Sequence, residues 1–348
     1  MRRPALAALP VVAVLLLLAT PLLGVSFGTP DDRVLPTTAA SHQVGDALRG
    51  DFATTPDAID VVLTPAVPRS ALRAYARQLS DVPGVHSADS AAGSFTRGEP
   101  TDPARGDQGL AAPGVQRLSL STALDPASGA AQALVEQVRG VPVPAGATGY
   151  VGGATATLVD AKQAISARLL VAGGLIVITT FILLFLFTGS VIQPIRALLG
   201  NALTLGATLG AMVWIFQDGH LASVLGFTPT PTNTAMPVLL FCIAFGLSMD
   251  YEVFLMSRIK ELHDTGASTA DSVIHGLART GRIVSTAAAL LAVSLFAFGT
   301  SRVSFIQFFG LGTGLAILID ATLVRGVLVP VTPVADSGGG AAALADRA

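Results

Sequence analysis

The stretch Met236-Pro-Val-Leu-Leu-Phe-Cys-Ile-Ala-Phe-Gly-Leu-Ser-Met-Asp250-Tyr251-Glu-Val-Phe-Leu-Met-Ser257 is apolar almost throughout, yet it sets an aspartate beside a tyrosine. It is long enough to cross a bilayer, which needs about 20 apolar residues. An ionised carboxylate at such depth costs roughly 2.5–3.5 kcal/mol on insertion scales. A cost of that size points to a use, and Asp250 is the first candidate for a functional group.

The rest of the 348-residue chain agrees with a membrane reading. Its hydrophobic share is 51% and its charged share 13%, where soluble domains carry about 25% charged residues. The formal charge of −2 implies neither a nucleic-acid partner nor an acidic one. The single cysteine, Cys242, excludes an intrachain disulfide and Cys–His metal clusters. No metal and no cofactor are expected. Ser119 and Ser121 fit no nucleophile motif, so no enzyme is expected.

With that stretch, five apolar runs after the N-terminal one are long enough to span: Ile165–Phe187, Ile195–Phe216, Met236–Met256, Ile283–Phe298 and Phe305–Val329. Met1-Arg2-Arg3 and the apolar run through Val25 fit a cleavable leader in part. The run is long, however, and Ala19-Thr-Pro-Leu-Leu-Gly24 is a poor cleavage site, so residues 1–25 are expected to be an uncleaved first span. Arg196, Arg258, Lys260, Arg279, Arg282 and Arg325 then share one side with Arg2 and Arg3. The positive-inside rule makes that side, and both termini, cytoplasmic.

Residues 26–164 would stand outside as an α+β domain. Helical patterns cover Ser41–Phe52, Arg69–Leu79 and Ser128–Val138; strand patterns cover Ile59–Leu63, Val85–Ala91, Val115–Leu120 and Ala147–Val151. The order is βαββαβ, the ferredoxin-like arrangement. Gly93–Pro113, rich in Gly, Pro, Asp and Thr, reads as a loop. The expected fold is thus an α-helical membrane protein of six transmembrane helices, with this extracytoplasmic domain between spans 1 and 2. Residues 165–332 form the five-helix bundle, with a cytoplasmic amphipathic helix at 257–280 whose Lys260 and Arg279 meet anionic membrane lipids. The low-complexity tail 333–348 reads as disordered.

One external domain between the first span and five more, with Gly246-Leu-Ser-Met-Asp250-Tyr251 in the fourth, resembles one half of an MmpL-type transporter of the resistance-nodulation-division (RND) superfamily. Phe254-Leu-Met-Ser-Arg258-Ile-Lys-Glu261, Gly152-Gly153-Ala-Thr-Ala156 and Leu318-Ile-Asp320-Ala-Thr-Leu-Val-Arg325 continue the likeness to about Pro333. The ending and the opening Arg2-Arg3-Pro4 look more like a C-terminal half. Family members have two such halves and twelve spans, whereas this chain supplies six.

The resemblance implies a multi-pass protein of the cell (inner) membrane that exports a lipid or other hydrophobic molecule against an inward flow of protons. It also implies reciprocal pairing, the Asp of one half facing the Tyr of the other. Neighbours on a helix point about 100° apart, so Asp250 and Tyr251 are better placed to meet a second helix than each other. A homodimer, or a heterodimer with a homologous half, is therefore expected.

Other residues carry weaker signals. Asp320 either extends the proton relay or pairs with Arg325, Arg282 or a helix terminus. Glu252 is expected to pair with Arg258. Gly206-x-x-x-Gly210 and Gly310-x-x-x-Gly314, with Gly246, read as helix-packing positions. Ser285, Thr286 and Ser294 either serve the Asp250 site or bond back to their own helix. Trp214 suits an interfacial anchor. His42, His86 and His220 form no cluster, and His263 and His275 read as solvated. Two other classes stay open: a non-transporting membrane scaffold whose outer domain binds protein or lipid, and an inactive fragment of a larger transporter.

Overall fold

The computed structural model describes residues 4–51, 55–102, 109–266 and 269–328. The tail expected at 333–348 lies outside them. The chain divides into two compact units, one containing Ser26–Ala167 with Thr230–Thr234, the other Met1–Val25, Arg168–Pro229 and the residues from Ala235 onward.

The chain enters through α1 (Pro4–Ala19), prolonged by a 3₁₀ stretch at Thr20–Gly24. The α+β unit then runs β1 (Phe27–Gly28), α2 (Ala40–Asp51), β2 (Thr55–Thr64), α3 (Arg69–Ser80), β3 (Ser87–Ser90), β4 (Gly93–Thr96), β5 (Glu99–Asp102), β6 (Ala111–Ala112), β7 (Val115–Thr122), α4 (Gly129–Gly140) and β8 (Thr148–Gly152). The strands β5-β4-β3-β7-β2-β8 form one antiparallel sheet in that order, with β6 paired to β7.

Alternation along the two central strands builds the core of this unit. Ile59 and Val61 of β2 stand opposite Leu120 and Leu118 of β7, and all four are buried. Leu72, Tyr75, Ala76 and Leu79 of α3, with Leu134, Val135 and Val138 of α4, cover that face. Each fully buried side chain of this size contributes about 1.5–3 kcal/mol. On the opposite face Arg117 Nε meets Asp60 Oδ1 at 2.9 Å.

The stretch expected as a loop, Gly93–Pro113, departs from that expectation. β4, β5 and β6 lie within it, and Phe95 is buried. Gly93 and Gly98 take φ of +128° and +75°, so these glycines are turn residues between strands rather than signs of looseness.

The helices that follow are α5 (Ala154–Thr188), α6 (Ile192–Met212), the short α7 (Ala222–Leu225), then β9 (Thr232–Asn233), α8 (Ala235–Asp264), α9 (Thr269–Phe296) and α10 (Ser304–Ile319). β9 pairs in parallel with β1 inside the α+β unit. Gly189, with φ +67°, ends α5 by donating to the Phe185 carbonyl at 2.7 Å, a left-handed helix stop. Lys260 Nζ donates to the Phe187 carbonyl of the same terminus at 3.0 Å.

Among the described residues, five helical segments are long and apolar enough to cross a membrane: Ala154–Thr188, Ile192–Gln217, Ala235–Leu262, Thr280–Thr300 and Ser304–Leu328. The N-terminal apolar helix, Ala8–Gly24, is shorter. The structure is therefore mostly helical and membrane-type, with five full-length candidate spans among the described residues.

The separate surface helix expected at 257–280 does not form as one element. α8 runs on without a break to Asp264, and α9 begins already at Thr269 and continues into the next span. Residues 257–264 and 269–280 belong to the ends of two long helices. The first strong helix breaker after the Asp-Tyr pair is Gly266, with φ +96°.

Candidate functional site

α8 carries two faces with different chemistry. On one, Cys242, Gly246, Asp250, Phe254 and Ser257 are exposed, at the three- and four-residue intervals that align side chains on a helix. An added Cβ at Gly246 would meet nothing within 4 Å, so Gly246 is not a packing position within this chain. Asp250 has no hydrogen-bond or ion-pair partner among the described residues. It lies on an open apolar helix face, not in the interior of this bundle.

The other face is buried and ionic. Ser248 and Glu252 are each 6% exposed, and they meet residues from α6 and from the helical stretch after α10. Arg196 Nη2 lies 3.4 Å from Glu252 Oε1, and Arg325 Nη1 lies 3.7 Å from Glu252 Oε2. Arg325 Nε donates to Asp320 Oδ2 at 2.8 Å. Its Nη2 also donates to the Ser248 carbonyl. Two arginines and two carboxylates thus offset one another inside an apolar bundle, where an unpaired charge would be prohibitive.

The Asp320–Arg325 contact depends on local helix geometry. Five residues on an α-helix rotate by roughly 500°, leaving side chains about 140° apart. Asp320–Leu328 is instead wound as a π-helix, whose i→i+5 pattern stacks residues five apart. Of the partners open to Asp320 in the sequence, the structure selects Arg325.

Tyr251 stands between the two faces. It is half-buried, and the Arg325 guanidinium carbon lies 5.7 Å from the centre of its ring, within cation–π range. Tyr251 and Asp320 are therefore linked through Arg325, while Asp250 joins neither in this chain.

The expected Glu252–Arg258 pair does not form. Arg258 Nη1 meets Glu261 Oε2 at 2.5 Å, three residues on. Six residues along an α-helix place Glu252 and Arg258 on different faces, about 120° apart. Arg196 was legible only as a charge setting orientation. Its signal as a site residue was its place inside an otherwise apolar run.

The remaining residues fall out plainly. Gly206 and Gly210 face α1: an added Cβ would lie 3.6 Å from Ala19 Cβ at the first and would collide with the Leu18 carbonyl at the second. At Gly310 it would strike Leu295 and Phe298, and at Gly314 the Phe296 ring at 2.7 Å. Thr286 and Ser294 donate to the carbonyls of Arg282 and Leu290 at 2.8 and 2.9 Å, which is bonding back to their own helix. Trp214 is 42% exposed and stacks on His220, ring centres 4.3 Å apart. Among the described residues no three His, Cys, Asp or Glu side chains gather in a metal-binding group.

Known proteins match this chain over most of its length. The "Trehalose monomycolate exporter MmpL3" of Mycobacterium tuberculosis is 36% identical over 339 residues, covering 95% of this chain and 35% of the relative. The membrane protein SCO6666 of Streptomyces coelicolor is 39% identical over 336 residues, with 95% and 44% covered. The "Mycolic acid-containing lipids exporter MmpL11" of Mycolicibacterium smegmatis is 33% identical over 217 residues, with 61% and 23% covered. The chain thus spans less than half the length of each of these relatives. The sequence profile of the MMPL family matches residues 32–339. The chain belongs to the MMPL family.

Proposed function

We propose that this chain is one half of a proton-driven membrane transporter exporting a lipid or another hydrophobic molecule. The observation that carries the reading is the position of Asp250: an unpartnered carboxyl on the exposed face of an apolar, span-length helix. Such a group is unstable facing lipid. It becomes useful when a second bundle covers it. A second copy of this chain, or a homologous half, packed through α8 would seat Asp250 against a tyrosine of the partner.

In that reading Asp250 takes a proton from one side and releases it to the other, and its two charge states favour different helix packings. Each proton moving inward contributes about 2.3 kcal/mol per 100 mV. Asp320, with Tyr251 and Arg325, couples that change to the bundle interior. Small residues at Gly206, Gly210, Gly310 and Gly314 allow close helix packing, while Gly246 serves the contact between halves. α1 with its 3₁₀ extension makes the sixth crossing, both termini are cytoplasmic, and the ferredoxin-like α+β unit stands outside as the porter domain. The names of the MmpL3 and MmpL11 relatives support the cargo class.

The test is proton uptake into liposomes holding the purified protein, followed with a pH-sensitive dye under an imposed membrane potential. Asp250→Asn is expected to abolish uptake while leaving the protein folded. Uptake at the wild-type rate in that variant overturns the proposal.

A further inference from the structure

The turn between β4 and β5 carries an unusual residue for its shape. Thr96 stands opposite Glu99, which leaves Arg97 and Gly98 as a two-residue loop, and both have positive φ, +50° and +75°. Two positive φ values in such a loop are the pattern of a type I′ turn, which favours Asn, Asp or Gly at its first position. Among the described residues Arg97 is the one non-glycine residue in this region of backbone space, where a bulky side chain is rare. A conformational cost carried at an exposed turn points to a use for the guanidinium.

The surroundings of Arg97 supply that use. With Ser80, Asp81, Gly84, His86 and Ala123 it lines a cavity of about 310 Å³, at the lower end of the roughly 300–1,000 Å³ that small-ligand sites occupy. Hydrogen bonds fix the walls. Ser80, 1% exposed, donates from Oγ to the Arg77 carbonyl at 2.8 Å and accepts the Gly98 amide at 2.9 Å. Thr122 Oγ1 donates to the Gly84 carbonyl at 2.7 Å. The charged groups, in contrast, are left free. Asp81, His86 and Arg97 are exposed, and their side chains have no hydrogen-bond or ion-pair partner among the described residues. Asp81 lies beside the turn, its Oδ1 2.6 Å from where a Cβ on Gly98 would stand, yet Arg97 does not close onto it.

We propose that this cavity binds a hydroxylated ligand bearing one oxyanion, a carboxylate or a phosphodiester. The planar fork of Arg97 matches either group at two points, and His86 adds a ring N–H donor. Asp81, acceptor-only when ionised, takes a hydroxyl of the ligand and disfavours a second negative charge beside it. The site thus selects a monoanion over a doubly charged phosphate monoester. The recognised chemistry is the same for a free solute and for a lipid headgroup. The site stands independently of the transporter reading above.

The test is saturation-transfer NMR on the full chain in phosphatidylcholine nanodiscs, with glycerophosphoglycerol and gluconate as probes at millimolar concentration. At least one probe is expected to receive magnetisation from the wild-type protein. Arg97→Asn is expected to weaken that binding about tenfold or more, the loss of a hydrogen-bonded charge. Its unfolding temperature is expected to be equal or higher, because Asn-Gly is the preferred pair for this turn. Arg97→Lys keeps the charge without the fork and is expected to fall between the two. No transfer to either probe, or equal binding by the wild type and Arg97→Asn, overturns the proposal.

Two further arms read selectivity and source. Glycerophosphate, doubly charged above a pKa of about 6, is expected to bind the wild type more weakly than the monoanionic probe, and Asp81→Asn to remove that difference. Equal binding of the two by the wild type overturns the role given to Asp81. Replacing part of the phosphatidylcholine by phosphatidylglycerol separates the sources. A fall in the soluble probe's signal assigns the site to a lipid headgroup, an unchanged signal assigns it to a free solute, and both uphold the site.

Discussion

Arg325 Nε and Asp320 Oδ2 lie 2.8 Å apart inside the bundle, with both residues about 95% buried. The contact is a charge-assisted hydrogen bond in a place that would punish either charge alone. Arg325 also reaches Glu252 and the Ser248 carbonyl, so it is the hub through which α8 and the helical stretch after α10 are tied together.

Removing that hub leaves two carboxylates with reduced compensation. Arg325→Met is expected to destabilise the protein by about 3–5 kcal/mol, the cost of breaking a buried ion pair from one side. Arg258→Met, in the more exposed pair with Glu261, is expected to change stability by about 0–1 kcal/mol. Thermal unfolding of both variants in the same detergent checks the contrast.

Two glycines predict opposite outcomes. Gly210→Leu drives a side chain into the α1 backbone, and overpacking of this kind costs about 1–3 kcal/mol or more. Gly246→Leu meets open space and is expected to leave the unfolding temperature unchanged. It should instead block close approach of a second copy at the Asp250 face. Crosslinking through Cys242, exposed on that same face, reads this out: wild-type chains are expected to link in pairs and Gly246→Leu chains to remain single.

The α+β unit carries an acid-sensitive clip. Arg49 Nη1 and Nη2 donate to Asp32 Oδ1 and Oδ2 at 2.9 and 2.6 Å, and this bidentate bond holds the Asp32 carboxyl below its ordinary pKa. A depressed folded-state value means stability that is complete above the unfolded pKa of about 3.9 and lost as pH falls through the folded one. Hydrogen exchange of the α2 amides, corrected for intrinsic rates, is expected to show undocking of this helix only in that acid range. Asp32→Asn should make docking weaker at neutral pH and nearly independent of acid.

Much of the architecture was legible because local pattern and final environment agree. Alternation at Ile59–Leu63 and Val115–Leu120 marked two strands whose buried faces meet, and the helices at Arg69 and Ser128 begin where their sequence signals stand. Ser128 accepts from the Ala131 amide as an N-cap. The site was legible only in part. An acid in an apolar run announced Asp250 and Asp320, but no local rule says toward which neighbour a helical side chain turns.

Hydrophobic run length, basic-residue asymmetry and the Asp-Tyr pair identified a membrane bundle built around a few costly charges, because the expense of burying polar groups is paid residue by residue and is visible in composition. Which charges meet was a matter of three-dimensional packing. The π-wound turn that stacks Arg325 beneath Asp320, the antiparallel crossing that brings Arg196 to Glu252, and the rotation of α8 that leaves Asp250 facing outward all depend on how helices far apart in the chain interlock. Periodicity along one helix contains no information about that rotation, since side-chain volumes on its neighbours set it.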